Sequence, residues 1–158
     1  MNPLDPMVKP DGVALIDPAK QSMLLSALYT AQEQTGYLPN EAIEQVAQQM
    51  GLSRGQVHST ASFYTLFHMK PVGHYVIQVC DGITCYLLDG ADKVADYISA
   101  RLGIQPGETT ADGRFTLETV ECLAACGAAP VMRIDDQLYE NLTPTRIDAI
   151  LQQLAEEV

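Results

Sequence analysis

The sequence predicts an α/β protein in which a small N-terminal helical bundle precedes a small α/β sandwich. Apolar residues recur at helical spacing between residues 18 and 70. Pro71-Val72-Gly73 interrupts that pattern, and the segments after it follow the order β-α-β-β-α from residue 74 to residue 156. All four cysteines of the chain lie in this second part, in two pairs.

Composition limits the classes of protein to consider. The chain has 158 residues, of which 47% are hydrophobic, so it can bury a core. No apolar run approaches the roughly 18–20 residues that span a bilayer, so we expect no direct membrane insertion. The N-terminus lacks a basic region followed by an apolar stretch, which predicts no secretory signal and a reducing cytosol.

The charge is strongly acidic, with a formal net value of −11. This disfavours nucleic-acid binding, because phosphate contacts need clustered Lys and Arg. Two interpretations remain open, namely simple solubility and a preference for a more basic protein partner.

The N-terminal half is predicted to be helical after an extended arm. Residues 1–17 contain three prolines and little periodicity, which is typical of an arm. We expect a helix over 18–35 that ends at Gly36, and a second over 40–50 with Asn40 as its N-cap and Gly51 as its end. Their predicted inward faces are Leu24, Leu25, Leu28 and Ala31 in the first helix, and Ile43, Val46, Ala47 and Met50 in the second.

A third helix is predicted from a capping box formed by Ser53 and Gln56. The aromatic-rich run Ala61-Ser62-Phe63-Tyr64-Thr65-Leu66-Phe67 continues it. We expect this run to pack in the core between helices; the alternative is a contact surface for a partner subunit. Because three short helices are marginal alone, the bundle is expected to dock on a neighbouring domain or protein.

The second half carries the predicted sheet. Residues 74–79 are almost continuously apolar, which predicts a strand buried on both faces that delivers Cys80 at its carboxyl end. A helix over 90–102 ending at Gly103, a strand over 115–120 leading to Cys122, and a hairpin over 131–139 follow. Thr143 and Pro144 are expected to start the last helix. Inward positions are Val94, Ala95, Ile98 and Leu102, then Ile147, Ile150, Leu151 and Leu154.

This order of elements makes a thioredoxin-like topology a natural candidate, since that topology ends in a hairpin followed by a helix. Cys80 and Cys85 would lie between the first strand and its helix, and Cys122 and Cys126 in the loop before the hairpin. Two loops at one end of the sheet would then bring four sulfur atoms together.

Four thiolates in C-x4-C and C-x3-C pairs suit a [2Fe–2S] cluster, with two ligands on each iron. Gly82 and Gly127 would let the backbone approach it. The alternatives are a structural zinc site, a thiol–disulfide enzyme and buried inert cysteines. A Rieske site is rejected, because His58, His68 and His74 lie outside both loops. No dinucleotide or P-loop motif is present.

The segments around the second cysteine pair carry a family resemblance. The run 120–132, from Val120-Glu121-Cys122 to Pro130-Val131-Met132, and Tyr139-Glu140-Asn141-Leu142-Thr143-Pro144 resemble the thioredoxin-like [2Fe–2S] subunit of NADH:quinone oxidoreductase, complex I. Equivalent subunits of NAD-linked hydrogenases and formate dehydrogenases belong to the same family. Ala61-Ser62-Phe63-Tyr64, Pro71-Val72-Gly73 and the run 107–117 also match, so the resemblance covers about 18–156.

The resemblance implies the function and the site. It implies a thioredoxin-like [2Fe–2S] ferredoxin domain, which we expect over 71–158, after the helical segment over 18–70 and the arm over 1–17 that the residues predict. It implies Cys80, Cys85, Cys122 and Cys126 as ligands of one cluster, and one-electron transfer beside the partner subunit that binds FMN and NADH. The chain would act in the cytoplasm on the peripheral arm of a membrane-associated complex, with no catalysis of its own. The alternatives are the equivalent diaphorase subunit of an NAD-linked hydrogenase or formate dehydrogenase, a free-standing [2Fe–2S] ferredoxin, and a zinc-stabilised assembly module with no redox role.

Two positions depart from the family pattern. The family usually has Gly at the position of Ala124, where a methyl group would limit the approach of the backbone or forbid a positive φ. We expect a shifted potential or a slightly altered loop there, and no loss of the cluster. The family also places a glycine four residues after the second cysteine, whereas Gly90 lies five residues after Cys85, which indicates a one-residue insertion.

Overall fold

The structure, a computed structural model, describes residues 18–88 and 90–156. These residues divide into two units between Pro71 and Val72. The predicted extended arm over 1–17 lies outside the described residues. The predicted domain limits, 18–70 and 71–158, stay a prediction.

The first unit is helical, and its three predicted helices are confirmed. They are α1 (Pro18–Thr35), α2 (Asn40–Met50) and α3 (Arg54–Phe63). Their apolar faces meet in one core made of Leu24, Leu28, Leu38, Ile43, Val46, Ala47, Val57, Ala61 and Phe67. Three of the predicted inward residues, Leu25, Ala31 and Met50, are only partly buried at the edge of this core.

The helix ends follow the sequence signals with one exception. The capping box is present, since Gln56 N–H donates to Ser53 Oγ and Ser53 N–H donates to Gln56 Oε1. Gly51 ends α2 in the left-handed region. The predicted N-cap of α2 is wrong by one residue: Pro39 holds that position, and the Asn40 side chain accepts a hydrogen bond from Arg54 instead. Proline suits the position because its ring disfavours the helical conformation of the preceding residue, so the helix does not extend backwards.

The aromatic run after α3 is less buried than expected. Ala61 and Phe67 belong to the core, but Phe63 is 77% exposed. Tyr64 packs edge-on against Phe63 and is itself partly exposed. The prediction of core packing is therefore right at the two ends of the run and wrong in its middle, because the helix turns Phe63 outwards.

The second unit is built on a four-stranded sheet. Its strands are β1 (Tyr75–Cys80), β2 (Phe115–Val120), β3 (Met132–Ile134) and β4 (Gln137–Tyr139), in the spatial order β2-β1-β3-β4. β1 is central, parallel to β2 and antiparallel to β3, and β3 and β4 form the predicted hairpin. All but the first residue of β1 are buried, as its continuous apolarity predicts.

Three helices complete this unit. They are α4 (Ile83–Leu87), α5 (Ala91–Leu102) and α6 (Pro144–Glu156). α5 and α6 match the prediction, including Gly103 as the left-handed residue after α5, although Leu102 is only half-buried. Arg146 N–H donates to Thr143 Oγ1, which confirms the predicted start of α6. The short helix α4 was not predicted.

The core of the second unit lies on one face of the sheet. Ile77 and Val79 of β1, Leu117 of β2, and Met132 and Ile134 of β3 pack there with residues of α5 and α6. Because side chains alternate along a strand, Gln78 and Cys80 point to the opposite face. Within residues 18–88 and 90–156, none of the helices combines the length and hydropathy of a membrane span.

Candidate metal centre

The four cysteines lie at one end of the sheet. Cys80 is the last residue of β1, and Cys122 follows the end of β2 by two residues. Since β1 and β2 are parallel and Cys80 pairs with Val120, the loops that follow the two strands begin at the same edge of the sheet. Cys85 lies on α4, and Cys126 begins a short 3-10 turn. The predicted placement on two loops at one edge is confirmed, with α4 inside the first loop.

Gly82 brings the two loops into contact. A Cβ atom at Gly82 would lie 3.4 Å from Cys80 Sγ, 4.0 Å from Cys122 Sγ and 3.2 Å from the carbonyl oxygen of Glu121. One sulfur from each cysteine pair therefore faces the same glycine, and a side chain there would press on the second loop. At Gly127 a Cβ atom would meet nothing within 4 Å, and the expectation that both glycines let the backbone approach a cluster stays a prediction.

Cys85 lies close to one buried and one exposed cysteine, Cys80 and Cys126. Cys80 and Cys85 are buried, whereas Cys122 and Cys126 are exposed. Burial raises the pKa of the Cys85 thiol; a hydrogen bond with the backbone of Val131 opposes this, and the neighbouring Cys80 and Cys126 thiols raise it further. A thiol with a raised pKa holds its proton at neutral pH, so metal binding there must release a proton.

The surroundings of the sulfurs are small and apolar. Cys80, Cys85 and Val131 form a buried cluster, and Leu123, Ala125, Ala128 and Ala129 pack against it. These apolar neighbours keep water from the buried pair, Cys80 and Cys85. Across the two described stretches, no three Cys, His, Asp or Glu side chains are already gathered around one point in the manner of a single-ion site.

The donor set fits an iron–sulfur cluster. Thiolate sulfur is a soft ligand that selects iron–sulfur clusters, zinc or copper(I) over magnesium and calcium. Two pairs on two separate loops supply the four thiolates that two irons require. The histidines do not contribute, since His58 and His74 are exposed and all three lie outside both loops.

Ala124 adopts a backbone conformation that L-residues rarely use. Its φ is 58°, and its N–H donates to Cys122 Sγ at 3.3 Å. The expectation that a methyl group forbids a positive φ at this position is wrong. The left-handed region costs about 1–2 kcal/mol for a residue with a Cβ, which disfavours the conformation without forbidding it. The N–H···S contact and the fixed ends of the loop hold it in place.

Gly90 occupies a position with no room for a side chain, which its distance from Cys85 in the sequence does not indicate. A Cβ atom there would lie 2.2 Å from Pro130 Cβ and 2.6 Å from the carbonyl oxygen of Cys85. Gly90 N–H also donates to that carbonyl at 2.7 Å. Asp89, within the proposed insertion, lies outside the described residues. Gly90 thus packs the end of the first cysteine loop directly onto the second.

α4 presents apolar side chains to the solvent beside the cysteines. Ile83 and Leu87 are 72% and 71% exposed, and Tyr86 and Leu88 are also exposed. Sequence reasoning missed this surface because five residues are too few to show a helical period. We call these four residues the α4 surface.

Comparison with known proteins agrees with this geometry. The family model described as thioredoxin-like [2Fe–2S] ferredoxin matches residues 13–155. One NADH-quinone oxidoreductase subunit of Rhizobium meliloti is 45% identical over 135 residues, which are 85% of this chain and 80% of that protein. The NADP-reducing hydrogenase subunit HndA of Solidesulfovibrio fructosivorans is 40% identical over 136 residues, 86% of this chain and 79% of that protein.

A solved structure shows the same fold. The crystal structure of an NAD+-reducing [NiFe]-hydrogenase in the air-oxidised state matches 84% of this chain with a TM-score of 0.73 and 26% sequence identity. The matched region is 23% of that longer chain. With the sheet, the two cysteine loops and the match over 13–155, the chain belongs to the thioredoxin-like [2Fe–2S] ferredoxin family.

Proposed function

We propose that this chain is the one-electron carrier subunit of an NADH-oxidising respiratory complex, NADH:quinone oxidoreductase. The observation that carries the proposal is the position of its only four cysteines, on two adjacent loops at one edge of the sheet, in a member of a [2Fe–2S] family. Relatives from Rhizobium meliloti and Rickettsia bellii that are subunits of NADH-quinone oxidoreductase support the type of complex.

In this proposal Cys80, Cys85, Cys122 and Cys126 hold one [2Fe–2S] cluster. When bound, the cluster accepts and releases one electron. The chain supplies the four thiolates, keeps water from the buried pair and turns the N–H of Ala124 towards a ligand sulfur. Such N–H···S contacts stabilise negative charge on the sulfur and so raise the potential.

The partner in this proposal is the subunit of the same complex that binds FMN and NADH. Hydride chemistry belongs to a flavin, and the sequence of this chain has no motif for a nucleotide. The α4 surface supports the partnership, because it is apolar, exposed and on the helix that carries Cys85. We place the chain on the cytoplasmic peripheral arm of that complex, without insertion into the membrane.

A second candidate is the equivalent subunit of an NAD(P)-linked hydrogenase. The similarity to the hydrogenase subunit HndA and to the NAD+-reducing hydrogenase structure favours it specifically. The role of the cysteines is the same in both complexes. Identification of the subunits that co-purify with the tagged chain separates them, since a nickel–iron subunit or quinone-reducing subunits would decide the assignment.

The experiment that tests the cluster is spectroscopy on the anaerobically purified chain. We expect two irons and two acid-labile sulfides per chain, visible absorption when oxidised and an EPR signal from one unpaired electron after reduction with dithionite. A colourless, EPR-silent protein with stoichiometric zinc would refute the proposal in favour of a structural zinc site.

Single substitutions test the ligands. We expect Cys126→Ser to lose or destabilise the cluster, measured as iron content and EPR intensity, while circular dichroism shows that most of the helical signal of the protein is retained. Thr119→Ser, at an exposed residue near the end of β2, is the control and should retain a full complement of iron. A normal cluster spectrum in Cys126→Ser would show that this cysteine is not a ligand.

A further inference from the structure

A row of three polar side chains crosses the sheet on the face that carries Cys80. The register places Gln78 of β1 beside Glu118 of β2 and beside Arg133 of β3. Arg133 Nε and Nη2 both donate to Gln78 Oε1, at 3.0 Å and 2.5 Å. Gln78 Nε2 donates to Glu118 Oε2 at 2.9 Å. The row therefore has a fixed positive end and a fixed negative end.

Gln78 is unusual for its position. It is 5% exposed in the central strand, between the core residues Ile77 and Val79. Burying an amide costs free energy unless its hydrogen bonds are made, and an apolar residue would be the simpler choice in such a strand. Both ends of this amide are bonded, so the side chain is held in one orientation. The Arg133 guanidinium is held in turn by two hydrogen bonds to the same oxygen of Gln78, which fix it more firmly than a flexible surface arginine.

The row lies close to the first cysteine pair. Gln78 and Cys80 are two residues apart on one strand, so their Cα atoms are about 7 Å apart on the same face. Cys80 N–H donates to the carbonyl oxygen of Val131, which lies two residues before Arg133 on the neighbouring chain segment. Geometry of this kind puts the guanidinium on the order of 10 Å from Cys80 Sγ.

We propose that Arg133, fixed by Gln78, raises the reduction potential of the cluster held at Cys80, and that Glu118 opposes it. The proposal rests on the proposed function, because it requires the cluster. Arg133 and Glu118 act on the reduction potential through their charge and do not bind the metal, and Gln78 fixes their positions.

The physical basis is the charge of the reduced state. An oxidised [2Fe–2S] core with four thiolates carries about −2, and one electron, supplied by a reduced flavin or a chemical reductant, takes it to about −3. In a chain of net charge −11 this addition is unfavourable, and a nearby cation lessens the repulsion. At an effective dielectric constant of about 20, a unit charge about 10 Å away changes the equilibrium constant of reduction by roughly tenfold or slightly more.

The experiment is an EPR-monitored redox titration of the cluster-loaded protein. For Arg133→Gln we expect the equilibrium constant of reduction to fall about tenfold, which is a shift of about 59 mV to lower potential for one electron. Arg133→Lys keeps the charge and should recover most of the wild-type potential. Glu118→Gln removes the negative end and should shift the potential in the opposite direction.

Arg114→Gln is the matched control. It removes the same charge just before β2, where Phe115 pairs with Tyr75, five residues from Cys80 and so roughly 17 Å away, and it should therefore shift the potential less. Equal shifts in Arg133→Gln and Arg114→Gln, or a loaded Arg133→Gln variant with unchanged potential, would overturn the inference. If Arg133→Gln does not fold, the reduction potential of Glu118→Gln tests the inference. A higher potential than that of the wild type supports it, and an unchanged or lower potential overturns it. Absence of any cluster in the wild-type protein would refute the proposed function instead.

Discussion

At the scale of single residues, Ala124 shows how a local conformation is set by what the loop must contact. Its positive φ directs the backbone N–H to Cys122 Sγ, a geometry that glycine would adopt without strain. Because Ala124 carries a Cβ atom in the left-handed region, we expect it to affect the stability of the loop.

We therefore expect Ala124→Gly to stabilise the loaded protein by about 1 kcal/mol, because relief of left-handed strain outweighs the added freedom of the unfolded chain. Ala125→Gly is the control: φ of Ala125 is −113°, so glycine there adds freedom without relieving strain and should destabilise. The measurement is urea unfolding followed by the visible absorption of the cluster. Equal effects of the two substitutions would mean that Ala124 is not strained.

At Gly90 we expect that glycine is needed and that a methyl group destabilises the protein. In Gly90→Ala the new Cβ would overlap Pro130 and the Cys85 carbonyl, so the two cysteine loops must move apart. We expect a loss of roughly 1–3 kcal/mol of stability and a lower iron content per chain. Gly55→Ala is the control, since a Cβ at Gly55 in α3 meets nothing within 4 Å and alanine favours helix. Full iron content in Gly90→Ala would show that the loops tolerate separation.

At the scale of elements, two side chains of α5 bind one carboxylate of α6. Asp148 accepts hydrogen bonds from Arg101 Nε at 2.7 Å and from Tyr97 O–H at 2.9 Å. The hydrogen bond from Arg101 is the main reason that the pKa of Asp148 is lowered from its ordinary value of 3.8. A carboxyl with a lowered folded pKa contributes stability that is complete above 3.8 and is lost as the pH falls through its folded value.

The predicted outcome is a pH-dependent difference between the wild type and Asp148→Asn. At pH 7 the wild type should be more stable, and the difference should shrink as the pH falls below about 4. Urea unfolding followed by circular dichroism, at both pH values, measures it. Asp96→Asn, at an exposed position on α5, changes the charge without touching the contact and should leave stability nearly unchanged. A difference that stays constant with pH would mean that the contact contributes nothing through ionisation.

Most element boundaries could be predicted because they are fixed by local chemistry. Ser53 with Gln56, Gly103, and Thr143 with Pro144 each act within one turn of a helix end. The buried strand β1 could be predicted because both of its faces are covered, which makes its sequence almost continuously apolar. The gathering of the cysteines followed from two strands ending at one edge, a rule that needs no side-chain detail.

What could not be predicted depends on contacts distant in sequence or on very short elements. The five residues of α4 carry no period, so their sequence predicts only a loop. The steric role of Gly90 depends on Pro130, forty positions later, and the outward turn of Phe63 depends on how α3 meets the other helices of its unit. The pairing of Gln78 with Arg133 requires the strand register, which the pattern of apolar residues does not define for polar positions.

At the scale of the whole molecule, the cysteine edge combines features that suit a redox partner. Electron transfer needs short distances between centres, and the exposed Cys122 and Cys126 mark where the cluster would be nearest to solvent. The α4 surface lies beside them and is flanked by the exposed acidic residues Asp81 and Glu121. Such an apolar patch with a polar rim is typical of a protein-binding site. A partner with an apolar face and basic surroundings complements it.

The last prediction follows from this surface. We expect Leu87→Asp to weaken binding to the flavin- and NADH-binding subunit by about tenfold or more, because a charge would be buried in the centre of the contact. Isothermal titration calorimetry with the purified partner measures the affinity, and the EPR spectrum verifies that the cluster is intact. Leu138→Asp, on the edge strand β4 opposite Arg133, introduces the same charge outside the α4 surface and should bind as the wild type does. Unchanged affinity in a cluster-loaded Leu87→Asp variant would place the partner on another face, because an interface centred on α4 has no means of accommodating an unpaired carboxylate.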